Sequence, residues 1–309
     1  IVQRIDKAYK LFFGNLKRKA PRGNPTSPPS FKKVKKYSSF TLKQAGWQLL
    51  DGNKVSIQGK VYKYFKSREI PAGIKTVTIK RDTLGNLYLY FVVEEAASQT
   101  NQAMPGNSAG FDFGLKTFLT PSDGNAIESP LYYRQALDAL KTAQRAMARK
   151  VKGSHNWQKA KANVARLYQT VVNRRRDWFF KLAHELTNQY DYLFFEDLHI
   201  KGMQALWGRK VSDLARSEFM SILGYVASTK HKVVHLAGAL WARFYASSKI
   251  CSECGQVYHD LKLSERRWVC AGCGLIHDRD HNAAVNIQRE GASSLGLGAV
   301  RPALQASPV

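Results

Sequence analysis

Hydrophobic positions in the first nineteen residues, "IVQRIDKAYKLFFGNLKRK", recur every three or four: Ile1, Ile5, Ala8, Phe12 and Leu16. That period is one face of a helix, so an amphipathic α-helix is predicted. "PRGNPTSPPS" (21–30) breaks it with four prolines and a glycine. The pattern then changes to β-type. "KVSIQGKVYKYF" (54–65), "IKTVTIKR" (74–81) and "LYLYFVVEE" (87–95) alternate or run apolar, with Gly85–Asn86 as a hairpin turn. Outward positions are largely basic: Lys54, Lys60, Lys63, Lys66, Lys75, Lys80 and Arg81. A small, basic, partly closed barrel over 37–95 fits, followed by the polar linker "AASQTNQAMPGNS" (96–108).

From residue 109 the pattern changes again. "AGFDFGLKTFLTPSDG" (109–124) reads as strand, turn and strand. Two long helical patterns fill 131–189, broken at "KGSHN" (152–156). "YLFFEDL" (192–198) is a short buried strand, a helix follows at about 214–230, and "KVVHLA" and "WARFYA" are further strands. Strands alternating with helices predict an α/β domain, and the whole chain is α+β once the barrel is counted. No internal repeat is visible.

Composition narrows the partner. The 309 residues carry 48 Lys and Arg against 23 acids, a net charge of +25. Such an excess points to a polyanion. No apolar run approaches the roughly 20 residues of a spanning helix, and no signal peptide is seen, so nucleic acid is favoured over membrane. The runs "KRK" and "KKVKK", which include Lys32 and Lys33, flank the proline-rich stretch and suit a nucleic-acid-facing loop. Arg174 and Arg175, within the basic run of 141–176, are candidates to line a strand's path, as is Arg279 on the substrate side. For any one of them a solvated helix face explains the charge equally well.

The four cysteines fall in two pairs, "CSEC" and "CAGC": Cys251, Cys254, Cys270 and Cys273, in C-x2-C-x15-C-x2-C spacing. Two short thiolate knuckles supply the four soft donors of a tetrahedral Zn2+. Gly255 and Gly274, one residue after each pair, suit the tight turns. Four thiolates close the coordination sphere, so one structural zinc is expected, with His259 and His277 as spare donors.

Three acids stand where a carboxylate is locally expensive. Asp112 lies between phenylalanines in "GFDFG", Glu196 ends the apolar "YLFFE", and Asp280 precedes "HNAAVNI". Singly, each has a plain explanation, and Asp280 could cap the helix that follows. Together they could converge, and a carboxylate trio repels itself unless divalent cations neutralise it. Three carboxylates around two Mg2+ suit phosphodiester hydrolysis.

"GFDFGLKTFLT", "LFFEDLHIKGM" and "CGLIHDRDHNAAVNI", with the cysteine pairs before the last, resemble the TnpB family, as do "NRRRDWFFKLAHEL" and "YASSKICSECG". These are transposon-encoded RNA-guided nucleases, relatives of the type V CRISPR effectors. The resemblance covers about 1–291. It implies an RNase H-like RuvC nuclease domain with an inserted zinc ribbon, in which Asp112, Glu196 and Asp280 are the catalytic, Mg2+-binding acids. Asp197 and Asp278 sit beside matched positions. It further implies that 1–36 end a helical recognition region and basic loop, and that 37–108 are a wedge-like barrel and linker. The first two acid motifs then lie in 109–248, the ribbon in 249–278 and the third-acid helix in 279–291; beyond the resemblance, 292–309 read as a flexible tail. "SSFT" (38–41) matches a segment that helps read a target-adjacent motif, which makes Phe40 and Thr41 candidate contacts. The implied partners are a guide RNA and double-stranded target DNA, with a monomer in a prokaryotic cytoplasm favoured. A guided DNA-binding protein without cleavage, and a RuvC-type nuclease needing no guide, are the alternatives.

Overall fold

The computed structural model describes residues 2–17, 27–30, 37–43, 45–94, 106–114, 117–124, 126–197, 214–237, 247–262 and 264–297. The chain divides into two compact units, Ile1–Ala97 and Ser98–Val309.

In the first unit, helix α1 (Val2–Lys17) forms where the apolar period requires it. Ile5 and Leu16 on its apolar stripe are nonetheless exposed. Six strands follow: β1 (Ser39–Leu42), β2 (Trp47–Leu50), β3 (Lys54–Ile57), β4 (Lys60–Lys63), β5 (Ile74–Arg81) and β6 (Leu87–Val93). They form two antiparallel three-stranded sheets, β1-β5-β6 and β2-β3-β4. Among the described residues no ladder joins the two sheets. Val55, Val77 and Ile79 are buried, whereas Lys54, Lys60, Lys63, Lys75, Lys80 and Arg81 face solvent. The alternation therefore segregates a small apolar interior from a basic exterior, as period two dictates.

The second unit is built on one mixed sheet. Its strands are β7 (Ser108–Asp112), β8 (Thr117–Pro121), β9 (Ile127–Glu128), β10 (Tyr192–Glu196) and β11 (Val233–Ala237). Their order is β11-β10-β7-β8-β9. β7, β10 and β11 run parallel, while β8 and β9 return as antiparallel neighbours. "WARFYA" lies outside the described residues.

Helices α2 (Tyr132–Ala148) and α3 (His155–Gln189) separate at the expected break. Ser154 begins α3 by accepting a hydrogen bond from the Trp157 backbone N–H at 3.2 Å. Helix α4 (Arg216–Thr229) then joins α3 over one face of the sheet. Phe111, Leu193 and Phe195 from the strands pack there with Phe179, Leu182 and Ala183 of α3 and Phe219 and Leu223 of α4. Helix α5 (Arg279–Ser294) covers the other face, where Ile287 and Ala292 meet Tyr192 and Phe194. Because successive side chains of a strand point to opposite faces, β10 is apolar throughout: odd positions serve one layer and even positions the other.

α5 lies very close to the sheet, and two glycines permit it. A Cβ on Gly110 of β7 would stand 2.1 Å from the Ala284 carbonyl oxygen of α5. A Cβ on Gly291 of α5 would stand 2.1 Å from the Phe194 ring. Gln288 of α5 reinforces the approach, its side-chain N–H donating to the Ser108 carbonyl at 2.8 Å.

Candidate metal centre and acid cluster

The cysteine-rich segment carries the short ribbon β12 (Arg267–Val269) and β13 (Ile276–Asp278), paired antiparallel. Each cysteine pair sits on a tight turn. The Gly255 N–H donates to the Cys251 carbonyl at 2.9 Å, and the Gly274 N–H to the Cys270 carbonyl at 2.8 Å. Both glycines have the positive φ such turns require, 79° and 71°. The four Sγ atoms all lie within 4.8 Å of one another. Cys251 and Cys273 are 3.7 Å apart, and Cys254 and Cys270 are 3.5 Å apart. Thiolates about 2.3 Å from a tetrahedral zinc stand near these separations. The cluster therefore fits one Zn2+ with no carboxylate or water needed. His277 takes no place in it: its Nε2 meets Cys251 Sγ at 3.1 Å while its ring packs on Trp268. His259 is exposed.

The three singled-out acids come from three elements. Asp112 ends β7 and Glu196 ends β10. The parallel register pairs Phe111 with Phe195, so the two acids are the next residues along adjacent strands. Neighbouring strands are separated by about 4.8 Å, so the two carboxylates start side by side. Alternation puts them on the face covered by α5, since Phe111 and Phe195 face the other way. Asp280 stands in the first turn of α5.

Asp112 feels the charges of both other acids. The Asp112 carboxyl is pushed up to about 7, first by desolvation, then by the charges of Asp280 and Glu196. Arg279 and Arg216 pull it partly back. Glu196 is also raised, mainly by desolvation, with Arg216 opposing. Burial together with mutual repulsion is the state a cation relieves. The chemistry of this oxygen donor set fits hard divalent ions.

Asp278, not Asp280, caps α5, accepting from the backbone N–H groups of Asp280 and His281 at 3.1 Å each. The cap satisfies orphan amide donors and leaves the Asp280 carboxylate for other partners. Arg266 of the ribbon occupies that carboxylate, its Nη1 lying 3.0 Å from both oxygens. A guanidinium thus stands at the oxygens a metal would use.

Arg266 is one residue that sequence reasoning passed over; its only signal was a basic pair just before Cys270. Asn282 and Asn286 are two more. Both are buried on α5, one helical turn apart. Their side-chain N–H groups donate to the Ile250 carbonyl, at 2.7 Å each, and the Asn282 Oδ1 accepts from the Ser252 N–H at 2.9 Å. These bonds tie the helix bearing Asp280 to the first cysteine turn. Two asparagines at i and i+4 in an otherwise apolar stretch were the available sign.

The remaining candidates scatter. Arg174 is exposed on α3, while Arg175 forms an ion pair with Glu218 of α4 at 2.8 Å, which gives it a packing role. Arg279 neighbours the acid cluster. Phe40 is exposed on β1, and the Thr41 hydroxyl meets that of Thr78 at 2.8 Å. Lys32 and Lys33 lie outside the described residues. Among the described residues no helix is long and apolar enough to cross a membrane.

Fold and site together define an α/β protein whose carboxylate cluster is joined to a four-cysteine ribbon. Two family models match this chain in succession. A probable-transposase family model, OrfB_IS605, matches residues 90–206, and a Cas12f1-like TNB domain model matches residues 217–287. A Streptomyces pristinaespiralis protein named "Putative RNA-guided DNA endonuclease" is 34% identical over 78% of this chain and 60% of its own length. "Putative RNA-guided DNA endonuclease InsQ" of Escherichia coli K12 is 27% identical over 95% of this chain and 74% of its own length. "TnpB-like protein L79" of Acanthamoeba polyphaga mimivirus is 28% identical over 70% of this chain and 43% of its own length. Together these matches support membership of the TnpB family. It spans 60% of the length of the first of these relatives.

Proposed function

We propose that the chain is an RNA-guided DNA endonuclease with a RuvC-type active site formed by Asp112, Glu196 and Asp280. The observation that carries this reading is the register-adjacent pair Asp112 and Glu196, with Asp280 close enough to raise the Asp112 pKa. Two Mg2+ held by these carboxylates would activate water and stabilise the leaving oxygen of a phosphodiester. The mixed sheet, with its acids at the ends of adjacent parallel strands, is compatible with an RNase H-like nuclease core.

The protein's own residues then have separate tasks. Asp112 and Glu196 supply carboxylate oxygens from a rigid sheet, and Asp280 supplies its own from a helix that the ribbon and sheet both hold. Arg266 keeps the Asp280 carboxylate paired until a metal competes for its oxygens. The zinc site gives the ribbon its shape, a structural task rather than a catalytic one. The net charge of +25 favours binding of guide RNA and DNA through phosphates. Base pairing with a guide would supply sequence specificity while basic surfaces grip the backbone. The basic β-sheets of 37–108 are the proposed wedge that grips guide RNA.

The test is co-expression with flanking transposon DNA, purification, and sequencing of copurified RNA. Matched DNA is then incubated with Mg2+ and wild-type or Asp112→Ala protein. A discrete bound RNA and cleavage lost in the variant support the reading. Unchanged cutting by Asp112→Ala removes the site assignment, and absence of bound RNA removes guidance.

A further inference from the structure

Arg216 is a buried cation beside the acid trio. It opens α4 and is only 8% exposed. The residue before it, Ala215, adopts a left-handed conformation, φ 43° and ψ 42°, which is unfavourable for a residue with a Cβ. No side chain caps this helix start. The backbone therefore accepts strain where α4 begins, and Arg216 is the residue delivered there.

Its guanidinium touches both acid-bearing strand ends. Nη2 donates to the Glu196 carbonyl oxygen. Its central carbon stands 4.4 Å from the centre of the Phe113 ring, the residue directly after Asp112. Phe113 in turn meets the Phe195 ring at 5.5 Å, the residue directly before Glu196. Phe113 and Phe195 belong to the layer shared with α3 and α4, whereas the two acids face α5. Arg216 thus approaches the strand ends from behind the carboxylates. Nη1 is buried and has no hydrogen-bond partner among the described residues.

We propose that Arg216 is a positioning residue that braces the ends of β7 and β10 and so sets the spacing of the Asp112 and Glu196 carboxylates for divalent metal. The planar fork grips a backbone carbonyl with one nitrogen while its face lies on an aromatic ring. A lysine ammonium has the charge without that geometry. Partners one step behind metal ligands commonly control affinity by about 10–100-fold.

Charge and bracing predict opposite orders among variants, which makes the inference testable. It rests on the acid-site reading, so Asp112→Ala is measured alongside. Mn2+ binding to the zinc-loaded full chain is followed by electron paramagnetic resonance, with folding checked by circular dichroism. Bracing predicts that Arg216→Lys weakens Mn2+ binding about tenfold, because the fork is lost while the repelling charge stays. Arg216→Met is expected to lose less, about threefold, since removing the positive charge partly offsets the lost brace.

Wild-type affinity in Arg216→Lys, or tighter binding in Arg216→Met, overturns the brace and leaves only a charge effect. If Arg216→Met fails to fold, Arg216→Lys, which keeps charge and length, decides alone. Mn2+ binding that persists undiminished in Asp112→Ala overturns the acid-site reading itself, a result separate from either outcome for Arg216.

Discussion

The cysteine cluster and the carboxylate cluster are both four or fewer donors aimed at one point, yet they are constructed in opposite ways. The thiols come from two turns within residues 251–273, and each turn closes on its own backbone hydrogen bond. The acids come from residues 112, 196 and 280, and no local turn brings them together. One is positioned by strand register, one by the neighbouring strand, and one by a helix lying across both. A site built locally survives distortion elsewhere; a site built from distant elements inherits every error in their packing. Here the two are also linked, because Asn282 and Asn286 fasten the third acid's helix to the first cysteine turn.

The largest separation between the clusters should come from the acids themselves. Asp280→Ala is expected to reduce DNA cleavage about a thousandfold or more, a loss of more than about 4 kcal/mol in transition-state stabilisation. Asp278→Ala should remove only a helix cap, costing about 1 kcal/mol of stability and little of the cleavage rate. Single-turnover rates and thermal melts of the two variants check this, and equal rates would mean that the acids have been misassigned.

Zinc removal tests the link. Stripping the metal, or replacing Cys270 with serine, should unfold the ribbon, because structural zinc supplies folding free energy outright. Cleavage should then fall about 10–100-fold, as Asp280 loses its anchor. The Asn282→Ala, Asn286→Ala double variant should produce part of the same loss with zinc still bound. Normal cleavage in the zinc-free protein would show that the clusters are independent.

Gly110→Ala probes the helix–sheet approach without touching any ligand. The added Cβ meets helix backbone at 2.1 Å, which cannot be relieved by a side-chain rotation. Destabilisation of about 1–3 kcal/mol is expected, measured by urea unfolding, together with slower cleavage as α5 moves outward.

The metal-free protein should also show a pH dependence. The Asp112 carboxyl is raised from 3.8 to about 7 by desolvation and then by the neighbouring acids. Between these values the folded metal-free protein holds a proton that the unfolded chain has released. Its stability should therefore fall as pH rises from about 4 to about 7. Asp112→Asn should erase this slope and raise the melting temperature of the metal-free protein near pH 8 but not near pH 4. Mg2+ should restore the wild type at the upper end only. Parallel melting curves for the two proteins across this range would show that the site carries no such strain.

Much of this organisation was legible in the residues. The period-two runs before residue 95 became strands with lysines outward, and the break at 152–156 became a helix start capped by Ser154. These succeed because alternation and capping depend on neighbours a few positions away. What was not legible depends on distant partners. Asp278 and Asp280 both stand at the start of α5, and only the amide directions show which of them caps it. Arg175 pairs with Glu218, 43 residues away, a partner that no local pattern announces. The apolar period of α1 was correct, but burial of that face does not follow from period alone.

By itself the chain determined what could be satisfied locally: the elements, the cysteine turns, the basic surface, and three acids too costly to ignore. Only tertiary structure decided that Phe111 lies beside Phe195, so that Asp112 and Glu196 become neighbours. It also decided that Gly110 admits α5, that two asparagines lock this helix to the ribbon, and that Arg216 and Arg266 stand beside the acids. The reason is range. Turn and strand preferences act over a few residues, whereas the field felt by a buried carboxylate is set by whichever charges folding brings near, whatever their distance along the chain.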